Sequence, residues 1–218
     1  MTDAAPAAPS SPAASSERQR RLIGIALMCG ALLCFSGLDT TAKWLNASVH
    51  PMLVVWARYL ASVVLVWVFI NPLTHPGVLR TTRPWLQFAR SVLLFVSTAL
   101  NFFALEYLQL VETLSILFAT PLLVALMAGP ILGEWVGGRR LVAIAVGFVG
   151  VLIVTRPGFG AMHPAALLSV AGSFAYALYG IMTRMLAASD STQTTLVYSG
   201  LAGVALATPA VPFVDDAS

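Results

Sequence analysis

The sequence has few charged residues for its length, and this scarcity excludes most classes of water-soluble protein. Only 10% of its 218 residues are Asp, Glu, Lys or Arg, whereas hydrophobic residues make up 58%. Soluble proteins carry about 25% charged residues. The mean hydropathy of +0.85 agrees with this imbalance. The composition therefore predicts a protein whose surface faces lipid rather than water.

Cysteine and histidine are scarce as well, which leaves little material for a metal or redox site. Cys29 and Cys34 are five residues apart in one apolar run, so a helix would place them on different faces. The three histidines lie in separate loops without the spacing of metal ligands. We therefore predict no metal, no cofactor and no catalytic residue. An integral-membrane enzyme would need a cluster of His, Asp or Ser near one interface, and the sequence shows none.

Long apolar runs are what the sequence has in abundance. A helix rises about 1.5 Å per residue, so about 20 residues cross the roughly 30 Å hydrocarbon core of a bilayer. We predict an all-α fold, a polytopic transmembrane helix bundle in contact with the lipid bilayer, with about seven transmembrane helices. The helices are expected at residues 22–45, 52–70, 85–107, 113–133, 141–155, 164–186 and 193–211.

The basic residues are distributed unevenly between the two ends of these predicted helices. They form no stripe with interleaved aromatics, so no nucleic-acid partner is predicted. Basic residues collect in cytoplasmic loops, and a cytoplasmic N-terminus assigns eight arginines to the inside and only Lys43 and Arg156 to the outside. We therefore predict an integral protein of a bacterial-type cytoplasmic membrane with a cytoplasmic N-terminus. Residues 1–21, rich in Ala, Pro and Ser, are predicted to form a disordered cytoplasmic tail.

Small residues recur at four-residue spacing along the last three predicted helices. At that spacing they share one helix face, and such faces let helices approach closely in lipid. The sets are Ala143 and Gly147 on the fifth helix, Ser169, Ser173 and Ala177 on the sixth, and Ser199, Gly203 and Ala207 on the seventh. We expect these faces to pack closely against neighbouring helices.

The end of the first predicted helix is similar to the end of the sixth, which indicates an internal repeat. At one constant offset, Phe35 aligns with Tyr176 and Lys43 aligns with Arg184. Five helices separate the two copies, and because five is an odd number, the second copy enters the membrane from the opposite side. Inverted repeats of this kind are typical of secondary transporters. The second copy is expected to be cut short, with about three helices missing.

Six short motifs follow one another in the first part of the chain. They are Phe35–Lys43, Trp56–Tyr59, Asn101–Leu108, Ala119–Pro121, Gly133–Glu134 and Gly147–Val151. In these motifs the sequence resembles the EamA-type transporters of the drug/metabolite transporter superfamily. The resemblance implies ten helices in two inverted five-helix repeats, with residues 22–157 as the first repeat and residues 158–218 as a partial second repeat of two helices. Asp39 and Lys43 resemble a subgroup associated with metabolite uptake, which includes S-adenosylmethionine and riboflavin carriers.

Charged residues within the predicted helices are the first candidates for a substrate site, because a charge at the bilayer centre costs about 2.5–3.5 kcal/mol or more. Asp39 and Lys43 lie one helical turn apart and can pair. The pair either neutralises itself near the outer interface or makes Asp39 a substrate or proton site whose pKa Lys43 tunes. Arg58, flanked by Trp56 and Tyr59, either extends to the outer interface or binds an anionic group while the aromatics stack on a planar ligand.

The remaining candidates lie in the other predicted helices. The uncharged ones are Asn101, Thr120, Tyr176 and Tyr179. The first two are predicted hydrogen-bond donors of a central cavity, and the two tyrosines are predicted aromatic walls opposite them. Pro121 falls in the middle of the fourth predicted helix and is expected to bend it, as a cavity wall or a gating hinge. Arg90 is expected to extend its side chain to the inner interface.

Together these features favour a secondary transporter that moves a small organic metabolite by alternating access, with proton or cation coupling through Asp39. Arg58 is expected to contact an anionic group of the substrate. The alternative is a truncated, non-transporting membrane fragment or assembly partner, and a homo-oligomer is a further alternative that stays open.

Overall fold

The computed structural model describes residues 12–70, 76–133, 135, 137–155 and 163–212. The chain divides into two compact units, residues 1–41 and residues 42–218. Three features predicted from the sequence lie outside the described residues: the tail segment 1–11, Glu134 and the repeat boundary at residues 157 and 158.

The first unit is formed by the helix α1, which spans Pro12–Leu45 and has its last four residues in the second unit. The helix begins ten residues before its predicted start, so the described residues 12–21, predicted to be disordered, are helical. Proline is favoured at the first position of a helix, and the Ala, Glu, Gln and Arg residues that follow have high helix propensity. Disorder was predicted because the tail as a whole is rich in Pro and Ser, although residues 12–21 have high helix propensity.

Helices also build the second unit. They are α2 (Pro51–Ile70), α3 (Pro84–Tyr107), α4 (Leu110–Leu117), α5 (Thr120–Leu132), α6 (Gly138–Thr155), α7 (Ala166–Leu186) and α8 (Thr192–Ala207). Short 3₁₀ turns at Pro76–Leu79 and Thr208–Ala210 complete the described elements. The predicted all-α fold class is confirmed.

Several helices are long and apolar enough to span a bilayer. Within the described residues these segments are Gln19–Leu45, Pro51–Ile70, Pro84–Tyr107, Leu110–Leu132 and Ala166–Leu186. The other two predicted spans are shorter. The apolar part of α6 is Leu141–Ile153, and α8 has 16 residues before it continues as a 3₁₀ turn. The predicted polytopic membrane bundle is confirmed.

The fourth predicted span is divided into two helices, which corrects the prediction of one helix with a bend at Pro121. Helix α4 ends at Leu117 and α5 begins at Thr120, so Pro121 lies in the first turn of α5. Proline has no N–H group to donate to the carbonyl of Leu117, and its ring crowds that carbonyl. At the break the N–H group of Ala119 instead donates to the carbonyl of Ile116, at 3.0 Å. The chain therefore turns before the proline.

Helix α3 is the central helix of the second unit. It packs against α7, α8 and α2, while α2 also packs against α8, and α4 and α5 pack against α7. The predicted stripes of small residues on α7 and α8 are buried, whereas Ala143 of the pair on α6 is exposed. The small stripe of α7 lets α3 approach closely: a Cβ atom on Gly172 would lie 2.5 Å from the Asn101 side-chain nitrogen. This close packing brings polar side chains of α2, α3, α7 and α8 together inside the bundle.

Candidate functional site

Four of the predicted site residues lie near one another inside the second unit. Tyr59 of α2 is only 6% exposed, and its hydroxyl donates a hydrogen bond to Oγ1 of Thr98 on α3, at 3.2 Å. Arg58 lies next to Tyr59 in the chain and within electrostatic range of Tyr176. The rings of Tyr176 and Tyr179 on α7 stack with centroids 5.4 Å apart. We call Arg58, Tyr59, Tyr176 and Tyr179 the aromatic cluster.

Arg58 is the cation of the aromatic cluster and is half-buried. Its guanidinium carbon lies 5.5 Å from the centroid of the Phe102 ring, a cation–π contact. Such contacts stabilise by about 0.5–2 kcal/mol. No group in the described part of the chain accepts a hydrogen bond from Arg58, so its N–H donors are available to a ligand. Tyr176 is 40% exposed and offers a ring face next to this charge.

Arg90 is buried between α3, α7 and α8, which corrects the prediction that it extends to the inner interface. It is only 2% exposed. Its Nε donates to Oγ1 of Thr183 at 2.7 Å, and its two Nη atoms donate to Oγ of Ser199 at 3.0 Å, the carbonyl of Thr195 at 3.4 Å and the hydroxyl of Tyr179 at 3.1 Å. These acceptors keep the guanidinium inside because they take four hydrogen bonds from its five N–H groups without the interface.

Gln87 lies one helical turn before Arg90 on α3 and is completely buried. Neither Nε2 nor Oε1 of its side chain has a hydrogen-bond partner among the described residues. A buried polar group without a partner costs about 1–3 kcal/mol. The amide of Gln87 therefore requires a hydrogen-bond partner that is not one of the described residues.

Lys43 and Trp56 have other partners than the aromatic cluster. The ammonium of Lys43 donates to the carbonyl of Leu108 at 2.7 Å and also to the carbonyl of Leu105. It thus caps the C-terminal end of α3, where the helix dipole favours a positive charge. The indole Nε1 of Trp56 donates to Oγ1 of Thr208 at 3.3 Å, and so connects α2 to the end of α8.

Asn101 and Thr120 are held in the interior of the second unit. The side-chain nitrogen of Asn101 donates to the carbonyl of Ser97 at 2.9 Å. Its Oδ1 and the Oγ1 of Thr120 are buried without a hydrogen-bond partner in the part of the chain that is described. Both oxygens are therefore free to accept a hydrogen bond, although the predicted role of these residues as donors in a cavity stays a prediction.

Asp39 belongs to the first unit and lies in the apolar part of α1. Around it, the hydroxyls of Thr40 and Thr41 donate to the carbonyls of Ser36 and Gly37, each at 2.8 Å. These bonds satisfy the hydroxyls within the helix itself, as is usual for threonine in an apolar helix. The role of Asp39 as a proton or substrate site stays a prediction.

The loops that precede α3 and α8 are joined by hydrogen bonds. Asp190 accepts hydrogen bonds from the hydroxyl of Thr81 and from both the backbone N–H and the hydroxyl of Thr82, the latter two at 3.2 and 3.0 Å. The hydroxyl of Tyr198 donates to the carbonyl of Leu79 at 3.0 Å. We call these five residues the loop junction. Partial desolvation acts to raise the pKa of Asp190, but the bonds from Thr81 and Thr82 and the charge of Arg83 together lower it.

Substitution of Asp190 by Asn tests the loop junction. The lowered pKa means that the carboxylate stabilises the fold at neutral pH, and that this contribution is lost as the pH falls below the ordinary Asp value of 3.8. We expect Asp190→Asn to lower the unfolding midpoint by about 2–4 °C near pH 7. The difference from wild type should shrink on acidification. Thermal unfolding of the detergent-purified protein at a series of pH values measures this. A constant difference down to roughly pH 3 would contradict the assignment.

Sequence reasoning missed Gln87 and assigned Arg90 to the inner interface instead of the interior of the bundle. The partners of Arg90 are 89 to 109 residues away in the chain, so no local pattern announces them. One signal was present: Gln87 and Arg90 lie on one face of α3, spaced by one turn, within a helix that is otherwise long and apolar.

The helices and the interior side chains together define a class of protein. An apolar bundle with cations and aromatic rings between its helices is an integral membrane protein with a polar interhelical site. Among the described residues, no group of three His, Cys, Asp or Glu side chains could hold a metal ion. Residues 22–156 match the EamA-like transporter family, and the chain belongs to that family. The resemblance stated from the motifs is thereby confirmed.

Curated proteins similar to the chain include transporters of two metabolites. The S-adenosylmethionine uptake transporter of Rickettsia bellii is 26% identical over 188 residues, covering 86% of this chain and 64% of the relative. The riboflavin transporter of Vibrio cholerae is 27% identical over 186 residues, covering 84% of this chain and 62% of the relative. The chain therefore spans less than two thirds of the length of these relatives. No solved structure matches the chain.

Proposed function

We propose that this protein is a secondary transporter, not an enzyme, that moves a small organic metabolite across the cytoplasmic membrane by alternating access. The observation that carries the proposal is the aromatic cluster. It combines a half-buried cation with available donors and a stacked pair of tyrosines, one of which is 40% exposed. Ligand sites in membrane bundles are built in this way from side chains on facing helices.

The composition of the aromatic cluster favours a planar substrate. Aromatic rings stack on planar ligands, and a guanidinium binds anionic or carbonyl oxygens. The relatives are named for S-adenosylmethionine and riboflavin, and both compounds contain a planar heteroaromatic ring. We therefore propose substrates with such a ring, which would lie against Tyr176 with a polar group near Arg58.

The arrangement of helices supports alternating access. Tyr59 and Thr98 belong to the proposed first repeat, whereas Tyr176 and Tyr179 belong to the proposed second repeat, so the cluster lies where the inverted halves meet. A rocking motion of one half against the other would open the site first to one side and then to the other. The loop junction would close the cytoplasmic side, and Pro121 would act as the hinge. Asp39, an acid in an apolar helix, is proposed to carry the coupling proton or contact the coupling cation.

Counterflow in liposomes tests this function. The purified chain, reconstituted with its N-terminal segment intact, is expected to take up labelled S-adenosylmethionine or riboflavin in a saturable way. Preloading with unlabelled substrate should accelerate that uptake, as expected for a carrier that alternates between two sides. Uptake that is linear in concentration and indifferent to preloading would reject alternating access, and uptake equal to that of empty liposomes for both compounds would reject the substrate class.

The variant Tyr176→Leu tests whether the aromatic cluster binds the substrate that is taken up. Loss of one stacking surface should lower uptake at subsaturating substrate by about 3- to 10-fold. Tyr107→Leu is the matched control, because Tyr107 is also exposed and stacks on a neighbouring ring, that of His163, at 5.1 Å. Equal uptake by the two variants would remove Tyr176 from the site.

A further inference from the structure

We propose that Arg90 and Gln87 form a second subsite, which binds an oxyanion group of the substrate, a carboxylate or a phosphate. The inference rests on the proposed transport function and narrows its substrate class. It joins two observations: a buried cation whose partners are all neutral, and a buried amide without a partner one turn away on the same helix.

The charge of Arg90 is not compensated by the protein. All four acceptors of its hydrogen bonds are hydroxyl or carbonyl oxygens, and no negatively charged group contacts it within the described ranges. Buried charges in proteins are normally paired, because a lone charge in a low-dielectric interior carries a large desolvation penalty. A charged side chain without a counter-ion inside a membrane protein indicates a functional site. For a guanidinium, the counter-ion that fits is a carboxylate or a phosphate.

Gln87 supplies the second half of the subsite. It is completely buried, and its Nε2 has two N–H donors with no acceptor among the described residues. Because Gln87 and Arg90 are three residues apart on a helix, their side chains lie on the same face. They also lie in the first two turns of α3, a 24-residue helix whose positive dipole end favours an anion there.

Other charged groups at this end of α3 are already engaged or lie outside the subsite. The carboxylate of Asp190 is held by Thr81 and Thr82 and is influenced by the charge of Arg83. Because these groups hold that carboxylate, it is not a counter-ion of Arg90.

Tyr179 connects the proposed subsite to the aromatic cluster. Its ring stacks on Tyr176 at 5.4 Å, and the guanidinium carbon of Arg90 lies 4.7 Å from the centroid of the same ring. One ligand could therefore place a planar ring on Tyr176 and an oxyanion at Arg90. The substrate class that fits both sites is a metabolite with a planar ring and a carboxylate or phosphate group.

Ligand-induced thermal stabilisation of the purified full chain tests the subsite directly. The probes are inorganic phosphate and acetate, with chloride at equal ionic strength as the reference. We expect at least one oxyanion to stabilise the protein in a saturable way, and the probe that does so identifies the group. Equal effects of all three salts would overturn the proposal.

The decisive variant is Gln87→Leu, because it exchanges an unpartnered buried amide for an apolar side chain of similar size. We expect it to unfold at the same temperature as wild type or higher, while the apparent affinity for the oxyanion falls by about 3- to 10-fold. Arg90→Lys, which keeps the charge but loses the planar guanidinium with its five donors, should weaken oxyanion binding by about 10- to 100-fold. A purely structural role predicts unchanged binding in every variant that folds.

Uptake measurements distinguish a failure of the oxyanion subsite from a failure of the proposed transport function. Uptake of riboflavin and of its phosphate ester, and of S-adenosylmethionine and its methyl ester, compares ligands with and without the oxyanion. Gln87→Leu should reduce uptake of the member of each pair that carries the carboxylate or phosphate more than uptake of the member that lacks it. Uptake reduced equally for both members would overturn the subsite but leave transport intact. Absence of uptake for all four compounds would reject the function, while salt-dependent stabilisation would still test the subsite.

Discussion

Substitution of Gly203 by Ala is expected to destabilise the bundle strongly. A Cβ atom at this position would lie 2.1 Å from Cδ1 of the Tyr59 ring, far inside van der Waals contact. The ring cannot easily move away, because its hydroxyl is bonded to Thr98 and its other side packs on Phe95 at 5.9 Å between centroids. Overpacking of this kind costs about 1–3 kcal/mol or more. The midpoint of thermal unfolding in detergent measures the effect.

Gly180→Ala is the matched control for this experiment. Gly180 also lies in a helix of the second unit, but a Cβ atom there would meet only Val124, at an ordinary 3.9 Å. Both variants change glycine to alanine within a helix, which by itself favours the helix by about 1 kcal/mol. We therefore expect Gly180→Ala to be neutral or stabilising. If both variants unfolded at the temperature of wild type, the close packing of α8 on Tyr59 would be wrong.

Substitution of Arg58 by Ala is expected to abolish uptake without preventing insertion into the membrane. The half-buried guanidinium makes one cation–π contact, with Phe102, and no hydrogen bond within the described part of the chain, so its loss removes little that holds the helices together. A charged hydrogen bond to the substrate contributes about 1.5–3 kcal/mol, which corresponds to roughly a 10- to 100-fold loss of uptake. Uptake is measured in liposomes that contain equal amounts of each protein.

A second variant of Arg58 distinguishes the effect of its charge from that of its shape, and a variant of Arg139 serves as the control. Arg58→Lys keeps the charge and should retain an intermediate activity, since lysine binds an anion as a point charge without the guanidinium fork. Arg139→Ala removes an exposed arginine at the start of α6 and should transport as wild type does. Normal uptake by a well-inserted Arg58→Ala protein would remove Arg58 from the substrate site.

The sequence was sufficient to predict the fold class because the bilayer restricts the choices. Backbone groups in lipid must form their hydrogen bonds within the segment. A long apolar run such as Pro84–Tyr107 is therefore expected to be a helix. The spacing of small residues predicted the buried faces of α7 and α8, although the same spacing on α6 left Ala143 exposed. Ser169 and Ala177 are fully buried because close approach of α7 to its neighbours requires small side chains on one face.

The details that the sequence did not predict depend on long-range contacts. The burial of Arg90 is set by hydroxyls on two helices far along the chain. The bonds from Lys43 to the terminal carbonyls of α3, 62 and 65 residues away, were likewise not predicted. The predicted pairing of Lys43 with Asp39 stays a prediction. The break at Pro121 was predicted only as a bend, because hydropathy continues unchanged through the turn at Phe118 and Ala119.

The division of one span into α4 and α5 has a consequence for the lipid that surrounds the protein. With 8 and 13 residues, the two pieces are each too short to reach across the hydrocarbon region, and only together do Leu110–Leu132 match it. A change of bilayer thickness acts on a continuous helix through tilt, but here it would act first on the angle between the pieces, where helical hydrogen bonding is already interrupted. The acyl-chain length of the host lipid is therefore expected to change the angle between α4 and α5 at Thr120 and Pro121.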